Sequence, residues 1–139
     1  IEDIFSREVV GFAFSKHHDS KLVLSALNMV ILITTTIPLI FHCDQGTEFM
    51  AEAVVNFLQT KGLKISVSDK ASPWQNGYQE SFFGRFKTEF GDFNRFNTVA
   101  ELMEEIYSQV KYYNQERIHT PLRMPPAVYA KKSFRKLSP

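Results

Sequence analysis

The chain contains one cysteine, Cys43, and one tryptophan, Trp74. A lone thiol excludes an internal disulfide, and the lack of Cys/His ligand spacing excludes a zinc knuckle. Six Pro and six Gly among 139 residues are too few for a collagenous or low-complexity chain. No secretory leader pattern opens the sequence, so a reducing, cytoplasmic compartment is expected. Asp, Glu, Lys and Arg are all absent from Leu22 to Cys43, a run long enough to raise a membrane helix. That run nevertheless holds Ser25, Asn28, Thr34, Thr35, Thr36, Pro38 and His42. Three adjacent β-branched Thr ahead of a Pro break a helix. The run therefore reads as a buried helix, a turn and a buried strand, and no membrane partner is expected.

What is present suits one globular domain. Hydrophobic residues make up 44% and aromatics 14%, with thirteen Phe. A chain of this length buries about two thirds of its unfolded surface. The net charge of +1 conceals an asymmetry. Residues 1–110 carry nine Lys/Arg against fourteen Asp/Glu, a net of −5. Residues 111–139 carry seven Lys/Arg against Glu116 alone, a net of +6. A basic tail behind an acidic body marks either a nucleic-acid contact or a solvated tail. Ile1 falls in the middle of an apolar–polar pattern, and further residues of the fold are expected before it.

The periodicities give the elements in order. Residues 1–15 read as a hairpin, with Val10, Phe12 and Phe14 alternating after a turn near Ser6-Arg7. Asp19 or Ser20 caps a helix to about Ile33, with Leu22, Val23, Ala26, Leu27 and Val30 on one face. Leu39-Ile40-Phe41 is a short apolar run, as in a strand buried on both faces. A helix with Phe49, Ala53, Val54, Phe57 and Leu58 inward ends at Gly62, and Leu63, Ile65 and Val67 form another strand. A loop from Ser68 to about Gly77 precedes a helix through Glu80, Phe83, Lys87 and Phe90. Thr98 to Glu101 is a capping box for a long helix with Leu102, Ile106, Val110 and Tyr113 on one stripe. A short helix is expected at 126–131. Such alternation implies an α/β sheet whose later strands are parallel, and sites gather at the carboxyl ends of such strands.

Asp44 stands at that kind of position, after an apolar strand and before Gln45-Gly46. Glu80 opens a helix behind a Gly-containing loop, with thirty-five residues between the two acids. A helix and a strand between them return the chain to the same sheet edge. Two carboxylates there form a hard, oxygen-only site suited to magnesium or manganese. An acid at a strand end is otherwise a cap or a surface charge.

Four motifs resemble one family. His42-Cys43-Asp44-Gln45-Gly46-Thr47-Glu48-Phe49 resembles the H-x-D-x-G-x-x-[FY] motif of DDE transposases and retroviral integrases. Ser72-Pro73 through Glu80-Ser81-Phe82-Phe83 resembles their S-P-x-x-x-x-x-x-E-S-F-F motif, at the D-35-E spacing. Asp3 to Gly11 is similar to the D-x-[FY]-S-R-x-V-V-G hairpin of bacterial insertion-sequence transposases. Tyr113-Asn114, Arg117 and His119, followed by Pro125-Pro126, are similar to the Y-N-x-x-R-x-H…P ending.

The resemblance implies an RNase H-like α/β core. Its mixed sheet would combine an antiparallel hairpin with parallel strands, flanked by helices. The catalytic core would span residues 1–116, with a basic, Pro-containing tail over 117–139. It implies a polynucleotidyl transferase that cuts and rejoins DNA phosphodiesters, with water or a 3′-hydroxyl as nucleophile. Two Mg2+ or Mn2+ ions would be held by Asp44 and Glu80 as the second and third acidic ligands. Lys87, Asn76, Gly77, Arg117 and His119 would contact DNA. Transposon ends and target DNA are the implied partners, in a homodimer or higher oligomer, in the bacterial cytoplasm at the nucleoid.

The family's first catalytic Asp lies on a strand ahead of the hairpin, in a W-x-x-D-x-T setting that these 139 residues do not contain. The first strand of the core is thus expected to be missing here and the fragment to be inactive. A catalytically inactive remnant that only binds DNA or dimerises is the competing reading. Asp3 belongs to the hairpin pattern and is not expected to replace the missing ligand. Met29 to Ile37, where relatives have a basic or Pro-rich connection, reads as a core edge, with an oligomer contact as the alternative. Cys43 reads as an inert buried thiol. His17-His18 reads as polarity where the first helix begins.

Overall fold

Asp19 caps the first helix as its residue type predicts, its Oδ1 accepting from the Leu22 N–H at 3.1 Å. Helix α1 runs Ser20–Ile33 and buries Val23, Leu27 and Val30. The computed structural model of the chain describes residues 1–34, 38–69 and 77–137. Strand β1 is Ile40–Cys43, helix α2 is Glu52–Thr60 and strand β2 is Lys64–Val67. Gly62, at φ 75°, ends α2 in the left-handed region. Helix α3 is Gly77–Phe90, α4 is Val99–Gln115 and α5 is Pro126–Leu137. Thr98 Oγ1 accepts from the Glu101 N–H at 3.2 Å, while the Glu101 carboxylate accepts from the Asn97 N–H at 2.9 Å. No described helix is long and apolar enough to cross a membrane.

The chain divides into two compact units. The first comprises Ile1 and Val10–Ser81. Its strands pair in parallel, with Ile40 opposite Lys64 and Cys43 opposite Val67. Phe41 and Cys43 on β1 share a core with Val23 and Leu27 of α1, Val54 and Leu58 of α2, and Leu63. Val54 and Leu58 are fully buried; each contributes roughly 1.5–3 kcal/mol by leaving water.

Leu39-Ile40-Phe41 is not buried on both faces. Leu39, 82% exposed, precedes the strand, and within it Ile40 is 59% exposed while Phe41 and Cys43 on the alternate face meet the core. The period-2 pleat sends neighbours to opposite faces, and the helices of this unit pack on one of them. Within residues 29–37, Val30 is buried while Leu32 and Ile33 at the end of α1 are exposed. Thr35, Thr36 and Ile37 lie outside the described residues.

Residues 10–14 do not form the predicted strand. The Val10 and Gly11 N–H groups both donate to the Ile1 carbonyl, and the Phe12 N–H points to the Met29 sulfur on α1. Gly11 lies so close to α1 that a Cβ on it would stand 2.6 Å from the Ala26 carbonyl oxygen. Ile1 in turn donates its nitrogen hydrogen to the Gly11 carbonyl, so the two residues pair reciprocally.

The second unit comprises Glu2–Val9 and Phe82–Pro139. The hairpin survives here as one antiparallel bridge, Glu2 to Val9, around a turn. Asp3 builds that turn: its Oδ2 accepts from the Ser6 N–H at 3.0 Å and from the Ser6 hydroxyl. Arg7 takes φ 63°, and its N–H donates to the Asp3 carbonyl at 2.7 Å. Asn114 near the end of α4 then acts as a surrogate strand. Its Oδ1 accepts from the Val9 N–H and its Nδ2 donates to the Val9 carbonyl, each at 2.9 Å across 105 residues. Phe82, Phe86, Phe90, Phe93 and Tyr113 form one aromatic cluster, with Phe82 edge-on to Tyr113 at 5.0 Å. Helix α5 extends beyond the predicted 126–131 and packs on α4.

Two predictions follow from the second unit. Asn114→Ala leaves both polar groups of Val9 unpaired and should cost ~1–3 kcal/mol. Urea unfolding should show a lower midpoint, and the Val9 amide should lose its protection from hydrogen exchange. Burial pushes the Glu2 carboxyl up to about 7 from the ordinary 4.5, against the pull of Arg7. Between those values the folded chain holds a proton that the unfolded chain has released, so stability falls as pH rises through the window. Glu2→Gln should flatten that decline, with a higher melting temperature than the parent at pH 8 and a near-equal one at pH 4.

Candidate active site

The apolar run of β1 ends where the parallel ladder ends, and the chain beyond it is fixed by its neighbour. The Ser68 N–H donates to the Cys43 carbonyl at 2.9 Å, and the buried Ser68 hydroxyl donates to the same oxygen at 3.2 Å. Gln45 Nε2 reaches back to the Ser68 carbonyl at 3.3 Å. Asp44 is therefore the first exposed side chain past two strand ends that are bonded together. Its Oδ1 accepts from the Gly46 N–H at 2.9 Å. Oδ2 and the second lone pair of Oδ1 are left for a ligand or water.

Around Asp44 the side chains divide by face. Cys43 points into the core as a free buried thiol, its pKa raised first by burial and then by Asp44 and Glu48. His42 is on the other face, with Nδ1 3.0 Å from the Ser66 hydroxyl. Its Nε2 is buried and has no hydrogen-bond partner among the described residues. The Glu48 carboxylate lies over Gly46 and 3.3 Å from His18 Nε2. His18 is thus an ion-pair partner as well as polarity ahead of α1.

Glu80 is exposed in the first turn of α3, and belongs with Asp44 to the first unit. Neither acid is ion-paired among the described residues. Two solvated carboxylates with spare oxygens fit a hard divalent cation that retains several waters. No group of three His, Cys, Asp or Glu that could hold a metal ion converges among the described residues. Asp3 spends its carboxylate on the Ser6 turn.

The residues expected on DNA are distributed differently. Gly77 opens α3 and is exposed, and Lys87 is exposed in the last turn of the same helix. Asn76 and the rest of 70–76, Trp74 included, lie outside the described residues. Arg117 is engaged by Glu89: its Nε lies 2.7 and 2.9 Å from the two carboxylate oxygens, and a terminal nitrogen lies 2.6 Å from one of them. That pairing holds the Arg117 pKa above its ordinary value. His119 has a buried, unpartnered Nδ1. Burial, and then Arg7, Arg85 and Arg117, hold its pKa below the ordinary value. The second unit thus gathers three arginines around His119.

Two participants, Glu48 and Asn114, carry contacts that their motifs do not specify. Glu48 occupies an unspecified position of its motif, and Asn114 reads as part of a family ending with no evident partner.

Comparison with known proteins fits this geometry. An Integrase core domain family model matches residues 1–73, and a second Integrase core domain model matches residues 61–126. A transposase-like protein of Haemophilus influenzae is 30% identical over 135 residues, covering 96% of this chain and 62% of that protein. The transposase for insertion sequence element IS904 of Lactococcus lactis is 34% identical over 122 residues, covering 86% of this chain and 48% of that protein. The chain thus spans about half to three fifths of the length of these relatives. The HTLV-2 integrase catalytic core domain superposes with a TM-score of 0.72 at 20% identity, covering 92% of this chain and 80% of that one. The parallel strand pair with an acid at its carboxyl end is therefore part of an RNase H-like integrase fold, and the chain belongs to the integrase core domain family as a DDE transposase/integrase catalytic core.

Proposed function

We propose that this core serves an insertion-sequence transposase in metal-dependent DNA cleavage and strand transfer. The observation that carries the reading is the pair Asp44 and Glu80. Both are solvated and without ion pairs among the described residues, one past a parallel strand end and one in the first turn of α3, within an integrase core domain. The reaction forms a bond from a water or 3′-hydroxyl oxygen to phosphorus and breaks the bond to the leaving 3′ oxygen, which departs as a hydroxyl. Asp44 and Glu80 would hold Mg2+ or Mn2+; bound ions would supply activation of the nucleophile and stabilisation of the leaving oxygen. The HTLV-2 core is described in complex with magnesium and in a trimeric form, which supports a divalent cation and self-association here.

Lys87 and the backbone at Asn76-Gly77 would bind DNA phosphates on the side of α3 that carries Glu80, since a seven-residue step returns to the same helix face. Arg117 and His119 are assigned to the DNA backbone as well. Arg117 must exchange Glu89 for phosphate to make that contact. Transposon ends and target DNA are the assigned substrates, a homodimer or higher oligomer the assembly, and the bacterial nucleoid the location. Residues 1–116 would be the core proper and 117–139 its basic tail.

The 139 residues contain no W-x-x-D-x-T segment, and we assign the first catalytic Asp to such a segment. An oligonucleotide strand-transfer assay should find these residues inactive alone. A chain extended through that segment should be active, and Asp44→Asn or Glu80→Gln should reduce its turnover by orders of magnitude, whereas Asp3→Asn should not. Full activity in the Asp44→Asn chain would sink the assignment. In a DNA-binding titration, Lys87→Ala should weaken affinity without regard to sequence and lower the slope of log K against log salt by ~0.9.

A further inference from the structure

We propose that Glu48 is a positioning residue for Asp44: its carboxylate pins the Asp44–Gly46 turn that presents Asp44 to a divalent cation. The proposal rests on the reading of Asp44 as a metal ligand.

The turn itself is the first observation. The Gly46 N–H is held by Asp44 Oδ1, and the Gly46 carbonyl accepts from the Phe49 and Met50 N–H groups at 3.1 and 3.3 Å. Gly46 is therefore the residue through which the Asp44 side chain is oriented. Glycine is also the residue with most freedom to leave such a conformation.

The second observation is what covers it. A Cβ on Gly46 would stand 2.8 Å from Glu48 Oε1 and 2.9 Å from Oε2. The absent side chain is replaced by a carboxylate lying across the glycine Cα. The Glu48 side chain is only 13% exposed, an unusual state for a carboxylate. His18 Nε2 anchors Oε1 from the chain ahead of α1, but that ring is 77% exposed. A solvent-exposed pair of this kind contributes little. The cover over Gly46, rather than the pair with His18, is what restrains the turn.

A second effect is electrostatic. Asp44 and Glu48 both act on the Cys43 thiol, so their charges bear on the same end of β1. A cation at Asp44 is attracted by Glu48 without a bond to it, as outer-shell carboxylates tune metal sites.

Two substitutions separate the roles. Glu48→Asp keeps the charge but withdraws it from Gly46 by one methylene. Glu48→Gln keeps the cover and drops the charge. In the full 139-residue chain labelled with 15N, hydrogen exchange at the Gly46 amide should accelerate about tenfold in Glu48→Asp, the weight of one net hydrogen bond. It should change less than about twofold in Glu48→Gln. Mn2+ affinity by calorimetry should fall about tenfold in either variant. His18→Ala should move both readouts little. Unchanged Gly46 exchange in Glu48→Asp would overturn the proposal. Mn2+ binding that survives Asp44→Asn, which keeps the acceptor for Gly46, would overturn the metal-ligand reading alone, and the exchange data would still decide the role of Glu48.

Discussion

The carbonyl of Cys43 accepts two hydrogen bonds from Ser68, one from the backbone and one from the hydroxyl. The rest of the first unit depends on that junction. Buried carbonyls must be satisfied, and a parallel pair has no hairpin turn to hold its ends together. Ser68 supplies the closure instead. Beneath it the fully buried Val54 and Leu58 anchor α2 against the strands. Beyond it the first residue, Asp44, is in solvent. A rigid apolar strand followed at once by a solvated acid is how an α/β sheet holds a carboxylate in place while leaving its oxygens available.

The second unit uses family motifs for a different purpose. Asn114 belongs to a motif that sequence reading links to function, yet its amide completes a hairpin edge at Val9. Asp3 and Ser6 close the hairpin turn on themselves. Arg117 is spent on Glu89. Of these contacts the Asn114–Val9 pair joins the first residues of the chain to α4, within the unit Glu2–Val9 and Phe82–Pro139. A motif identifies a family through every residue that its fold requires, and only some of those residues face a substrate. The structure separates the two classes where a side chain is already saturated by protein partners.

Much of this was legible in the sequence because local physics decides it. Asp19 and Thr98 cap helices with their own side chains, and Gly62 ends α2 at positive φ. The 3.6-residue period placed Val23, Leu27, Val30, Val54, Leu58, Val110 and Tyr113 inside. The misreadings concern partners distant in sequence. Val10 to Phe14 alternates like a strand, but beyond the reciprocal Ile1–Gly11 pair the Phe12 N–H turns to Met29 on α1. Leu39-Ile40 is apolar like a doubly covered strand, but no apolar run states how many faces will be covered. The places of Asp44 just past β1 and of Glu80 in the first turn of α3 were legible through the motif and its spacing. The contacts of Glu48 with Gly46 and of Asn114 with Val9 were not, because neither leaves a periodicity in the sequence.

Charge completes the argument. Glu89, Glu105 and Glu48 each have a cationic or imidazole partner, Arg117, Arg95 and His18. Asp44 and Glu80 have none among the described residues. A salt bridge at either acid would compete with any incoming cation, since the bridging ammonium or guanidinium occupies the same lone pairs. Exposure makes the absence inexpensive in the empty state, because water solvates a lone carboxylate well. The Gly46 N–H takes up one Asp44 oxygen and fixes its direction without neutralising its charge. An acid oriented by a neutral donor and without a counter-ion among the described residues would keep its remaining lone pairs open to a cation.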